Sequence, residues 1–177
     1  MKRAIFVIGG IICLIFTIIF AMPRSVNTED YLRIHIRANS NSEIDQDIKY
    51  KIKGRIVEFL SPKLKEAKSV DEAKNIVIHN ITNINSIAND VLNEENLSYK
   101  AVSELNREYF PVRHYGNVTL EEGVYDALIV RLGEASGNNW WCVVFPPLCF
   151  VESEESGDGN FHYVSKIREI IENIRRK

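Results

Sequence analysis

The chain is short of the groupings from which most enzyme sites are built. Cysteine occurs three times, tryptophan twice and histidine four times in 177 residues. His35, His79, His114 and His162 lie on separate stretches, without the His-x-x-x-His spacing of a helical metal site. Cys-x-x-Cys is missing, as are a Gly-x-Ser-x-Gly nucleophile elbow and a glycine-rich phosphate loop following a strand. Charge of one sign is also scarce: 22 basic and 24 acidic residues leave a formal net charge of −2, with no bulk field to draw nucleic acid. There is no internal repeat and no low-complexity tract. These absences give no reason to expect a cofactor, a metal or a small-molecule ligand. The paired glutamates at 94–95, 121–122 and 154–155 fall in expected turns and read as solvated.

What is present begins with a long apolar run. Lys2-Arg3 precedes Ala4 to Met22, an uncharged stretch that as a helix spans about 28 Å, near the thickness of a bilayer's hydrocarbon. Basic residues ahead of it keep the N-terminus in the cytoplasm and send the rest across the membrane. Residues 1–22 are therefore a signal peptide or a membrane anchor. Ala21 is a small residue at a cleavage point, whereas Ile19 and the length of the run favour retention, so both forms stay open. Residues 23–30 are a polar tether, and 31–177 form one extracytoplasmic domain with ample apolar content (45% of the chain) for a core.

The most concentrated stretch is Asn138 to Phe150. It holds both tryptophans, Cys142, Cys149 and the pair Pro146-Pro147. Apolar residues at odd and even positions alike predict a strand covered on both faces, stopped by prolines that cannot donate to a ladder. Cys13 lies in the apolar run, so Cys142 and Cys149 are the pair in the exported part, and an even pair in an oxidising compartment favours a disulfide. The two prolines between them supply the chain reversal that such a bond needs. Two reduced core cysteines are the plainer alternative.

In chain order, Tyr31 to Ala38 alternates, with Leu32, Ile34 and Ile36 facing a core and Arg33, His35 and Arg37 facing out, which predicts a half-buried strand. Asn39 to Ser42 ends it and caps a helix, through Ser42 with Asp45 or Ser40 with Glu43. That helix carries the stripe Ile44, Ile48, Ile52, Ile56, Phe59-Leu60 and stops at Ser61-Pro62. A second helix runs from Ser69 to about Val91, with asparagines on its polar positions. Leu97 to Tyr115 reads as a long strand broken at Pro111, and Val124 to Leu132 as another. The turn from Gly133 to Asn139 joins the latter to the Trp-Cys strand as a hairpin. Val164 to Arg176 is an amphipathic helix. The fold class is α+β: a mixed or antiparallel sheet of about four strands, with two long helices after the first strand and a C-terminal helix.

For chemistry, His35 between Arg33 and Arg37 suits a base or a switch if buried, and is a solvent-facing strand residue otherwise. Cys142 with His35 or His114 is the thiol pair from which an envelope hydrolase or thiol enzyme could be built. Phe110 to Gly116 sets aromatic and basic residues beside a turn, where a recognition surface or simple packing fits equally. Candidate partner-contact residues are His35, Arg37, Arg113, His114, Tyr115, Trp140 and Trp141.

Three blocks carry a resemblance: Arg33 to Ser42 with Asp45-Gln46; Phe110 to Gly116 with Gly123 to Leu128; and Asn139-Trp140-Trp141-Cys142 through Phe145-Pro146-Pro147-Leu148-Cys149-Phe150. Together they resemble the stage II sporulation protein R family over roughly Leu32 to Val151. Asn41 replaces a commonly acidic residue, and Glu121-Glu122 stands where proline is frequent. The resemblance implies an exported signalling protein of endospore-forming bacteria, acting in the space between forespore and mother cell. There it would trigger a membrane-embedded aspartic protease, stage II sporulation protein GA, to process the precursor of sigma factor E. It implies a ligand and not an enzyme, so no catalytic residues follow from it.

Overall fold

The computed structural model describes residues 28–115 and 118–147. Residues 1–27, with the apolar run, and 148–177, with Cys149 and the expected C-terminal helix, lie outside them. After a short 3-10 turn at Thr28–Asp30 come β1 (Leu32–Arg37), α1 (Glu43–Leu64), α2 (Val70–His79) and α3 (Ile81–Glu94). Then follow β2 (Ala101–Phe110), β3 (Arg113–Tyr115), β4 (Val118–Leu120), β5 (Gly123–Leu132) and β6 (Asn139–Phe145). The class is α+β, as the element order predicts. Among the described residues one mixed sheet has the order β2-β5-β1-β6, and β3-β4 is a separate two-stranded ribbon.

β1 is more deeply placed than its alternation suggests. It runs parallel to β5 on one side and antiparallel to β6 on the other. The helices cover one face, where Leu32, Ile34 and Ile36 meet Ile48, Ile52, Leu60, Val77, Ile84 and Ala88. Arg33 and His35 are not on a solvated face: they are 0% and 4% exposed, under a second core of Tyr31, Phe110, Leu120, Tyr125, Ile129 and Val143. The polar face of β1 is thus an interior.

The expected hairpin between β5 and β6 does not form, because β1 lies between them. The connecting segment instead arches over the end of β1 and is tied down there. Ser136 N and Gly137 N donate to the carbonyls of Asn39 and Ala38, and Asn138 N donates to Asn41 Oδ1 at 2.6 Å. Gly137 is required by proximity, since a Cβ there would collide with the Ser40 carbonyl. Gly133 has φ +53°, the left-handed conformation that glycine adopts without penalty.

The same loop explains the Asn39–Gln46 block. Ser42 is the N-cap of α1, its hydroxyl accepting from Asp45 N. Asp45 is buried and accepts from Tyr99 Oη (2.5 Å), Ser40 Oγ (2.5 Å) and Asn39 Nδ2 (2.9 Å). Burial alone raises a carboxyl pKa, but these donors, with Ser42, outweigh it and hold Asp45 below the usual range. Lys49, also buried, donates to Gln46 Oε1 and to the Asn138 carbonyl. This polar latch joins the start of α1 to the loop before β6.

Helix boundaries depart from expectation where tertiary contacts override local signals. α1 continues through Pro62 to Leu64, because Leu60 and Leu64 are both buried and their packing outweighs the missing donor. Ile44 does not join the stripe and is 65% exposed. The second helix is two, divided at Asn80, whose Nδ2 turns back to the Ile76 carbonyl at 2.7 Å. Asn85 and Asn89 are not merely polar positions. Asn85 Oδ1 accepts from Ser103 N, and Asn89 both accepts from Ala101 N and donates to its carbonyl. Two side-chain amides thereby pair outward backbone groups at the start of the β2 edge.

β6 is covered on both faces, as its sequence predicts, yet it is an edge of the described sheet and not a central strand. A register shift opposite Leu32 and Arg33 turns Phe145 to the helix side with Cys142 and Val144.

Candidate functional site

The first block's cationic residues and the later aromatic ones converge on the face away from the helices. In register, β1 His35 lies level with Ile129 of β5, which lies level with Glu104 of β2. Glu108 is four residues further along, about 13 Å in a flat strand. It nevertheless accepts from His35 Nδ1 at 2.8 Å and from Arg37 Nη2. The far half of the β2–β5 ribbon therefore bends across the face, as strongly twisted two-stranded ribbons do, and carries Glu108 and Phe110 onto β1.

Arg33 sits at the bottom. Its guanidinium carbon is 4.1 Å from the centroid of Phe110 and 4.8 Å from that of Tyr125, and Nη2 donates to Tyr115 Oη at 2.7 Å. Cation–π attraction offsets part of the cost of burying the charge. Burial still pulls its pKa down, against the pull of Tyr115, and pushes that of Tyr115 up.

Above it, His35 lies 5.1 Å from Trp141, with ring planes 30° apart, and Phe110 meets it edge-on at 5.9 Å. Burial, and then the neighbouring Arg37 charge, push the His35 pKa down to about 4; a hydrogen bond with Asn139 pulls the other way, and the Arg33 charge adds to the fall. At neutral pH the ring is therefore neutral, donating through Nδ1–H to a carboxylate. Arg113 completes the outer layer, with its guanidinium carbon 4.1 Å from the Trp141 centroid.

Of the seven candidate contact residues, His35, Arg37, Arg113, Tyr115 and Trp141 come together here. His114 is exposed on β3, bonded to Thr119 Oγ1 at 2.8 Å. Trp140 faces the other way, packed with the helix-side core near Lys53. Neither proposed thiol pair is assembled. Cys142 belongs to the helix-side core and His35 to the opposite face, so the sheet separates them, and His114 lies on the ribbon beyond that face. Sequence reading missed Glu108 and the burial of Arg33. The signal was Arg33-x-His35-x-Arg37 itself: three bases on one strand face need a carboxylate if that face is covered.

Among the described residues no cluster of His, Cys, Asp and Glu could hold a metal ion. No helix among them is long and apolar enough to cross a membrane. The class defined is a small α+β domain whose second sheet face carries a cationic and aromatic cluster under a short ribbon. The profile of the family described as stage II sporulation protein R matches residues 28–155, and this chain belongs to that family. A curated relative, Stage II sporulation protein R of Bacillus subtilis (strain 168), is 33% identical over 121 residues, which are 68% of this chain and 54% of the relative. The chain thus spans about half the length of that relative. No solved structure matches it.

Proposed function

We propose that this sporulation protein is an exported signal, crossing the membrane behind its apolar N-terminal run and working between forespore and mother cell. It activates a membrane-embedded aspartic protease, stage II sporulation protein GA, by protein–protein contact, and the protease then processes the sigma factor E precursor. Family membership is the observation that carries the reading. The outer layer of Arg113 and Trp141 supports it, since partly exposed Arg and Trp side chains on a rigid sheet are typical anchors of protein interfaces. The test is reconstitution of precursor processing from the protease, the precursor and this chain. Processing that proceeds equally without the chain overturns the role.

Export sets the chemistry of the cysteine pair. Cys142 is buried in the helix-side core, and in an oxidising compartment we expect it bridged to Cys149, fixing the segment after β6. Intact mass of natively exported protein, alkylated with and without prior reduction, checks this; two freely alkylated thiols exclude the bridge. The same spectra distinguish a product beginning at Met22 from an uncleaved, membrane-anchored chain.

A further inference from the structure

Five buried side-chain polar atoms of the described residues lack a hydrogen-bond partner, and four belong to one row. They are Arg33 Nε, Arg33 Nη1, His35 Nε2 and Arg37 Nε, on alternate residues of β1 that share a face. Buried polar atoms are seldom left unpaired, and a buried guanidinium without an anion is among the more expensive cases. The charges are also unbalanced. Arg33, Arg37 and Arg113 converge there with Glu108 as the carboxylate, and Glu108 is engaged with Arg37 and His35. Arg33 has no anionic partner among the described residues.

We propose that the Arg33 end of this row is a binding site for a single carboxylate, supplied by an acidic side chain of a protein partner. The carboxylate enters when Tyr115 swings off Arg33. Nη1 lacks a hydrogen-bond partner and Nη2 donates to the Tyr115 hydroxyl, so replacing that phenol with a carboxylate gives the end-on, two-bond fork that guanidinium groups make with carboxylates. The Phe110 and Tyr125 rings lie against the guanidinium, 4.1 and 4.8 Å from its carbon, and meet each other edge to face. Glu108, reaching the same row from β2, shows that its other end already takes a carboxylate. The proposal deepens the contact reading above and rests on it for its biological meaning.

The experiment uses the full chain in detergent micelles, with Trp140→Phe so that Trp141 is the sole tryptophan reporter. Glutarate and its neutral analogue glutaramide are titrated at matched ionic strength, following Trp141 emission and the melting temperature. Glutarate at roughly ten times its dissociation constant is expected to raise the melting temperature by about 3–6 °C, and glutaramide to leave it unchanged. Arg33→Met removes the response. Tyr115→Phe, which frees Nη2 of its competitor, tightens binding about fivefold, a gain that a purely structural role for Arg33 does not produce. Equal responses to glutarate and glutaramide, or a glutarate response that persists in Arg33→Met, overturn the site. If Arg33→Met does not fold, the acid–amide comparison and Tyr115→Phe still decide. Failure here with intact precursor processing removes the carboxylate site alone, whereas lost processing dependence with intact glutarate binding removes the signalling role.

Discussion

Arg113 on β3 stands over Trp141 on β6, 4.1 Å from guanidinium carbon to ring centroid, although the two residues are 28 positions apart in sequence. This contact, with the hydrogen bond from Arg33 to Tyr115, fastens the β3–β4 ribbon to the main sheet. An exposed cation–π pair contributes about 0.5–1 kcal/mol, so Arg113→Ala should leave the domain folded. It should nevertheless weaken precursor processing, as should Trp141→Ala, if this outer layer meets the partner. Thermal melts beside the reconstituted processing assay separate the two effects, and unchanged processing in both variants removes the face from the interface.

His35 gives the fold a dependence on pH. Its folded pKa of about 4 lies below the unfolded value near 6.5, so the folded state prefers the neutral ring. Its contribution is complete above about pH 6.5 and is lost as pH falls through 4. Urea titrations of the parent chain should therefore show stability falling across that window, and His35→Gln should flatten the fall. A parent curve level between pH 6.5 and 4 would contradict a buried neutral imidazole.

Asp45 acts at lower pH. Its hydrogen-bonded carboxylate holds the folded pKa below the unfolded 3.8, so its contribution is present above that value and disappears as pH drops further. Asp45→Asn cannot accept from Tyr99 and Ser40 as a carboxylate does, and should cost about 2–3 kcal/mol at neutral pH. The variant should also lose the part of the acid transition below about pH 4. Denaturant midpoints at pH 7 and pH 3 provide both numbers.

Asn85 and Asn89 should be worth about 1 kcal/mol each through the β2 backbone groups they pair, and Ala at either position exposes those groups. The double variant should also promote self-association through the uncovered edge. Denaturation and sedimentation measure the two effects. A double variant as stable and as monomeric as the parent would show that the amides are incidental.

Much of the fold is legible from pattern alone. Alternation marks β1, Pro111 breaks the strand between β2 and β3, Ser42 and Ser69 start helices, and the residues of β6 announce cover on both faces. These signals are local: they depend on backbone preferences and on the period of side chains along a few residues. The strand order is different in kind. Gly133 to Asn139 looks like a hairpin loop, and only the strand order, with the hydrogen bonds from Ser136 and Gly137 to the end of β1, shows that it spans an inserted strand.

The candidate site shows the same division. Its members could be nominated one by one, because basic and aromatic residues crowd the three family blocks. Which of them meet was decided by the bend of the β2–β5 ribbon, which carries Glu108 to His35 and closes Phe110 over Arg33. Sequence alone determined that β1 has an apolar and a basic face, since that follows from a period of two. The tertiary structure decided that the basic face is interior, because covering it depends on strands far away in the chain, and burial then turned ordinary surface bases into a neutral histidine and a guanidinium with no carboxylate partner among the described residues.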